Sequence, residues 1–277
     1  MHVRFSRGVI TIAVIVIVLA IGVSMALFAL LRKTQPLAVP EAHCVVKTPR
    51  GERDLDPEQA EIAATIAAVA ERRRLPERAL VIAYVTGLQE SKLFNLPYGD
   101  RDSVGVFQQR ASQGWGTKKQ LMDPVYATNR FFAALVKVKN YRKLKLEDAA
   151  QAVQRSAGGY AYAQHEEDAR ILAAAFTGRV PKAVRCWYPP GKTQTPAPQP
   201  KTDEARRQLA RALGDTSITT PKRGWLIAAW SVAHAQKYGL RQVGFSGVTW
   251  TNDISNDLEA GGWQSGGKAS AKQVELS

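Results

Sequence analysis

The chain has 277 residues, 45% of them hydrophobic, which excludes a disordered polypeptide and leaves room for one or two globular units with a real core. Its formal net charge of +14, from 38 Lys+Arg against 24 Asp+Glu, favours a polyanionic neighbour: nucleic acid, an anionic membrane surface or an anionic wall polymer. No RNA-binding aromatic box, zinc-finger spacing or helix-turn-helix pattern is present, so nucleic acid is not expected among its partners.

From Gly8 to Leu31 the sequence carries no charge, and at about 1.5 Å per residue a helix of this length crosses a hydrocarbon core of roughly 30 Å. A cleaved signal peptide has an apolar core of only about 7–15 residues, so the length favours an uncleaved anchor, with residues 1–33 as cytoplasmic tip and transmembrane helix. Ala26-Leu27-Phe28-Ala29, loosely like a cleavage site, keeps the signal-peptide alternative open. Arg4 and Arg7 before the segment and Arg32 and Lys33 after it leave the positive-inside rule close to a tie. The cysteines help to break it. Cys44 and Cys186 bracket the first globular segment, and a disulfide between them suits an oxidising compartment and a single-pass membrane protein with its C-terminal domains extracytoplasmic. Two unrelated buried thiols are the alternative. Neither cysteine lies in a CxxC, and no metal site or cofactor is expected.

A polar, proline-bearing stem follows over residues 34–43. Asp56-Pro57-Glu58-Gln59 reads as an N-cap, an N1 proline and a capping-box Gln, with Ile62, Ile66 and Val69 at helical spacing behind it. A second helix starts at Pro76, buries Leu80, Val81, Tyr84, Val85 and Leu88, and runs into Gln89-Glu90-Ser91. A loop rich in Gly, Asn and Asp covers roughly Phe94 to Gly116, and Asp123-Pro124 starts a helix with Tyr126, Phe131, Phe132 and Leu135 as core candidates. Helices are predicted over about Leu146–Ser156 and Tyr160–Phe176, the last closed by Gly178. The unit 44–187 therefore reads as all-helical. Residues 188–202, with PPGKTQTPAPQP, have the composition of an extended linker. Residues 203–277 read as a small α+β domain: a Trp-bearing helix from Pro221 to Tyr238, a hairpin turning at Ser246-Gly247, and a loose tail after Gly261. The fold class expected for the whole chain is mainly α.

Glu90 lies at the C-terminal end of an apolar helix, where the negative end of the helix dipole and partial burial both disfavour its charged form. A carboxylic acid that can give up a proton is what breaking a glycosidic bond requires. The company of Glu90 sharpens this. Gln89-Glu90-Ser91 is followed by Tyr98-Gly99-Asp100-Arg101 and then Gly105-Val106-Phe107-Gln108-Gln109. This order resembles the soluble lytic transglycosylase and goose-type lysozyme superfamily over about residues 56 to 178. There, an apolar helix ends in Glu-Ser and a glycine-led segment forms the floor of the saccharide cleft.

The resemblance implies a lysozyme-like fold and a peptidoglycan glycosidase cleaving the MurNAc–GlcNAc β-1,4 bond, with peptidoglycan glycan strands as substrate, Glu90 as general acid and Ser91 and Gly105 in the cleft. Asp100, in a Gly-Asp-Arg turn like that of the goose-type enzymes, becomes a candidate to position water, although Asp100 and Asp102 read equally as turn-capping residues. The family's other Asp falls at Arg110. A water-attack hydrolase and a transglycosylase leaving 1,6-anhydro ends both stay open. The family's third element is only partly matched by residues 152–160, with Gln154 in place of an Asn and Tyr160 or Tyr162 as substitutes for its Tyr. Gln108 and Gln109 are candidates to bind N-acetyl groups. Phe107 and Trp115 offer flat faces to sugar rings, with core the favoured place for Phe107 and a cleft role for Trp115 in its glycine-rich loop. His165 and His234 lack partners at ligand spacing. The rival class is a lysozyme-fold protein without turnover that binds glycan and scaffolds other envelope proteins.

Overall fold

A computed structural model describes residues 7–33, 41–154, 160–189, 199–252 and 262–277. Residues 34–40 of the stem, most of the proline-rich linker and the end of the third sequence element fall outside the described residues. The chain divides into two compact units, Met1–Pro40 and Glu41–Ser277. In the first, helix α1 (Arg7–Lys33) contains the stretch Thr11–Ala29 with a mean hydropathy of 3.0 and no burial against protein. It is long and apolar enough to cross a membrane.

The second unit is mixed α/β. Strand β1 (His43–Thr48) lies between β2 (Gly51–Leu55) and β5 (Val184–Trp187) in an antiparallel sheet, so the expectation of an all-helical unit over 44–187 is corrected. Burial along β1 alternates, with Cys44, Val46 and Thr48 turned inward. Cys44 stands directly opposite Cys186 in the ladder, and the two form a disulfide, with Cα atoms 3.9 Å apart.

Helix α2 (Pro57–Arg72) starts as its sequence dictates: the Asp56 side chain accepts from the Glu58 amide, and the Gln59 side chain accepts from the Asp56 amide. Every residue from Ile62 to Ala70 is buried, and a helix apolar on all sides belongs at the centre of a fold. Its alanines let neighbours approach closely. Around it pack α3 (Glu77–Ser91), α5 (Pro124–Leu135), α8 (Glu166–Phe176), α9 (Thr202–Leu213) and α10 (Pro221–Ala233). Residues on both sides of the linker thus complete one hydrophobic core.

Between α3 and α8 lie two short strands, β3 (Ser103–Val104) and β4 (Gln109–Arg110), then α4 (Lys118–Leu121), α6 (Leu146–Gln154) and α7 (Tyr160–Ala163). The single helix expected over Tyr160–Phe176 is broken at Gln164-His165, where the chain turns from α7 into α8. Past α8, Gly178 adopts φ +72, and a Cβ there would come within 2.1 Å of the Lys222 carbonyl oxygen. This close approach lets α10 dock. Gly178→Ala is expected to cost about 3 kcal/mol, from the left-handed backbone and a clash with backbone that cannot step aside. Urea unfolding measures it, and a midpoint equal to wild type would show that α10 docks elsewhere.

The C-terminal sheet has the order β8-β7-β6-β9, from β6 (Gln242–Phe245), β7 (Val248–Thr251), β8 (Trp263–Ser265) and β9 (Glu275–Leu276). Ser246 (φ 51) and Gly247 (φ 80) make the two-residue turn that the sequence suggests. The tail is not loose: β8 and β9 pair the two outer edges of the hairpin. Its tryptophans pack and staple. Trp250 Nε1 donates to the Cys186 carbonyl at 3.2 Å and Trp263 Nε1 to that of Val184 at 2.9 Å, fixing this sheet to β5.

The helix predicted to run to Tyr238 breaks at His234, after which α11 (Ala235–Tyr238) ends at left-handed Gly239. His234 is buried, donates from Nδ1 to the Trp230 carbonyl at 2.8 Å and stacks on the Trp230 ring. Burial, which penalises the imidazolium, pulls its pKa from 6.5 down to about 3. The unfolded chain therefore takes up this proton first as pH falls, and stability is lost from about pH 6.5 downward by at most about 1.4 kcal/mol per pH unit. A His234→Gln variant is expected to show a flatter acid limb in urea unfolding between pH 6.5 and 4.5; parallel curves would mean that His234 titrates normally.

Candidate functional site

Helix α3 ends sharply. Lys92 (φ 54) and Leu93 (φ 64) are left-handed, the Leu93 amide returns to the Gly87 carbonyl at 3.0 Å, and the Leu93 side chain is fully buried against Gly87. Gln59, from the cap of α2, donates to the Lys92 carbonyl at 2.7 Å and holds the turn in place. The last turn of α3 thus presents Gln89, Glu90 and Ser91 from a rigid support, and each side chain reaches a different element.

Ser91 is buried, and its Oγ donates to the Val106 carbonyl at 2.8 Å. It joins α3 to the glycine-led segment rather than facing a ligand. Gly105 adopts φ +78, and a Cβ would lie 2.6 Å from the Leu121 carbonyl oxygen, so only glycine fits. Phe107 is fully buried and stacks on Phe131 with centroids 4.4 Å apart, which makes it core, as favoured, and not a sugar platform. Gln154 Nε2 donates to the Phe107 carbonyl at 2.7 Å. The third sequence element therefore clamps the second.

Half-buried Gln108 donates to the Gly105 carbonyl at 3.1 Å and to the Tyr98 carbonyl at 3.3 Å, bracing its own loop. Gln109 was expected beside it at the substrate; instead it is 2% exposed and donates inward to the Ala127 carbonyl at 3.3 Å. Gln108 lies in the turn before β4 with a left-handed backbone (φ 46), while Gln109 begins the strand and points into the core. Trp115 is partly buried against the core, and its carbonyl accepts from Arg130 Nε at 3.0 Å, so its loop is anchored rather than open.

Glu90 is half-buried, and the Tyr162 hydroxyl donates to its Oε1 at 2.6 Å. Tyr162 itself is 2% exposed, held in α7. A phenol can donate to a carboxylate and accept from a carboxylic acid, so it serves Glu90 in either protonation state. Tyr160 opens α7, and its side chain lies outside the described residues. Gln89 completes the set: its Oε1 accepts from His165 Nε2 at 3.1 Å and Gln164 Nε2 at 3.3 Å, fastening the α7–α8 corner that carries Tyr162. This corner is absent from the sequence reading. The only available signal was the run Gln164-His165 inside an otherwise helical pattern.

The two aspartates separate. Asp102 accepts from the Ser112 amide and hydroxyl and from Arg110 Nε, bonds that hold its carboxyl well below the usual carboxylate range. It caps the loop, and Arg110 is its partner. Asp100 has 88% of its side chain exposed, with only Arg101 Nε at 4.0 Å as an ion-pair partner. Among the described residues no group of three or more His, Cys, Asp or Glu is arranged to hold a metal. The chain matches no protein-family model, and no curated protein matches it. The arrangement offers one carboxyl able to exchange a proton, a phenol that follows it through both states, and a backbone loop beside them fixed from α3 and α6.

Proposed function

We propose that this chain is a membrane-tethered, extracytoplasmic glycosidase that cleaves the MurNAc–GlcNAc β-1,4 bond of peptidoglycan, with Glu90 as general acid. The observation that carries the reading is the 2.6 Å bond from Tyr162 to Glu90, which brings the two ends of the family-like sequence pattern to one point. The disulfide fits an oxidising compartment, and α1 supplies the tether. In the reaction the Glu90 carboxyl gives its proton to the glycosidic oxygen as the bond to C1 of the muramyl sugar breaks. Asp100 is solvated and the neighbouring Asp102 is committed to its loop, so neither of these two aspartates is held as a base that activates water. The Glu90 carboxylate then takes the proton of the sugar's own 6-hydroxyl while that oxygen attacks C1, leaving a 1,6-anhydro end. Purified peptidoglycan incubated with the protein and resolved by mass spectrometry tests both parts. Anhydro muropeptides support the transglycosylase reading, reducing ends return Asp100 as a base, and binding without release favours a glycan scaffold.

A further inference from the structure

The loop that joins α5 to α6 carries Lys137, Lys139, Arg142, Lys143 and Lys145 with no acid among residues 137–145. It is not a loose tract. Val138, Tyr141 and Leu144 recur every third residue and pack on the core, successive turn bonds hold the backbone, and Asn140 takes the left-handed conformation (φ 59) that the turn needs. The five cations that flank and separate the apolar anchors are all exposed. Glu147 and Asp148 follow in the first turn of α6, and neither forms an ion pair with them. Val136, 44% exposed, is with Tyr98 one of two large apolar side chains outside α1 that face solvent among the described residues. A shallow cavity of about 370 Å³ is lined by residues 136 to 143.

This lobe is remote from Glu90. The Arg78 guanidinium donates to the Leu144 carbonyl and so places it at the start of α3, while Glu90 lies twelve residues on, about 18 Å along the helix.

We infer that the 136–145 lobe is a docking surface for anionic phospholipid headgroups. Cations carried on an already folded loop attract an anionic leaflet with no backbone ordering cost, and an exposed apolar residue among them suits a lipid interface better than a fully hydrated polyanion. The same chain carries α1, long and apolar enough to span a bilayer, which puts a lipid surface at high effective concentration. The inference needs nothing from the reading of Glu90.

The full chain reconstituted in nanodiscs of phosphatidylcholine, alone or with an equal share of phosphatidylglycerol, tests it. Acetylation rates of Lys137, Lys139, Lys143 and Lys145 are read by mass spectrometry against exposed Lys201 and Lys222. The anionic discs are expected to slow the four lobe lysines by at least about 5-fold relative to the two controls, and about 0.5 M salt to remove the difference. A triple Lys137→Gln, Lys139→Gln, Lys143→Gln variant is expected to lose the protection of Lys145. Equal rates on both discs would overturn the inference, as would protection that appears only when isolated peptidoglycan with its anionic polymers is added.

Discussion

Replacing Glu90 by Gln is expected to lower the release of muropeptides by about 10³-fold while leaving the fold intact. The amide keeps an oxygen to accept the Tyr162 hydroxyl and the shape that fills the end of α3, but it has no proton to give the leaving sugar oxygen. Thermal unfolding checks the fold, and activity within a few-fold of wild type would remove Glu90 from the chemistry. In the same assay Tyr162→Phe should fall by only about 10- to 100-fold, because the carboxyl remains and loses just the bond that aims it. If the phenylalanine variant is as inactive as the glutamine one, Tyr162 touches the reacting atoms itself.

The largest loss of stability is expected from removing the disulfide. Cys44 and Cys186 are 142 residues apart, and releasing a loop of that size returns about 5 kcal/mol of chain entropy to the unfolded state. That is a third or more of what a domain ordinarily holds in reserve. A Cys44→Ser, Cys186→Ser double variant should melt about 10–20 °C below wild type, and wild type in reductant should follow it. Melting temperatures that agree within about 2 °C would show that the Trp250 and Trp263 staples hold β5 in place by themselves.

What was legible in the sequence was local. The Asp56-Pro57 and Asp123-Pro124 helix starts are written in adjacent side chains that satisfy adjacent amides, and the Ser246-Gly247 turn in two residues that accept positive φ. Glu90-Ser91 and the Gly105 segment were visible for the same reason. The β1–β5 pairing was not, because a strand of six residues shows its inward face only when a partner from the far end of the unit supplies it. Short β8 and β9 were missed likewise: each is a strand only because β7 or β6 is already there to pair with. At the site, the inward aim of Gln109 follows from a hairpin too tight to show a period. Tyr162 reaches Glu90 through the corner at Gln164-His165, which no periodicity announces.

The position of α2 has a consequence for how the protein is made. Its apolar surface emerges early from the ribosome, yet part of its covering, α9 and α10, is translated more than a hundred residues later. At ordinary elongation rates that interval is on the order of ten seconds. During it a nascent chain already bearing α1 must keep an alanine- and isoleucine-rich helix from premature partners. Truncation anywhere ahead of α10 therefore yields not a smaller domain but an unfinished one, a ready client for chaperones and quality-control proteases.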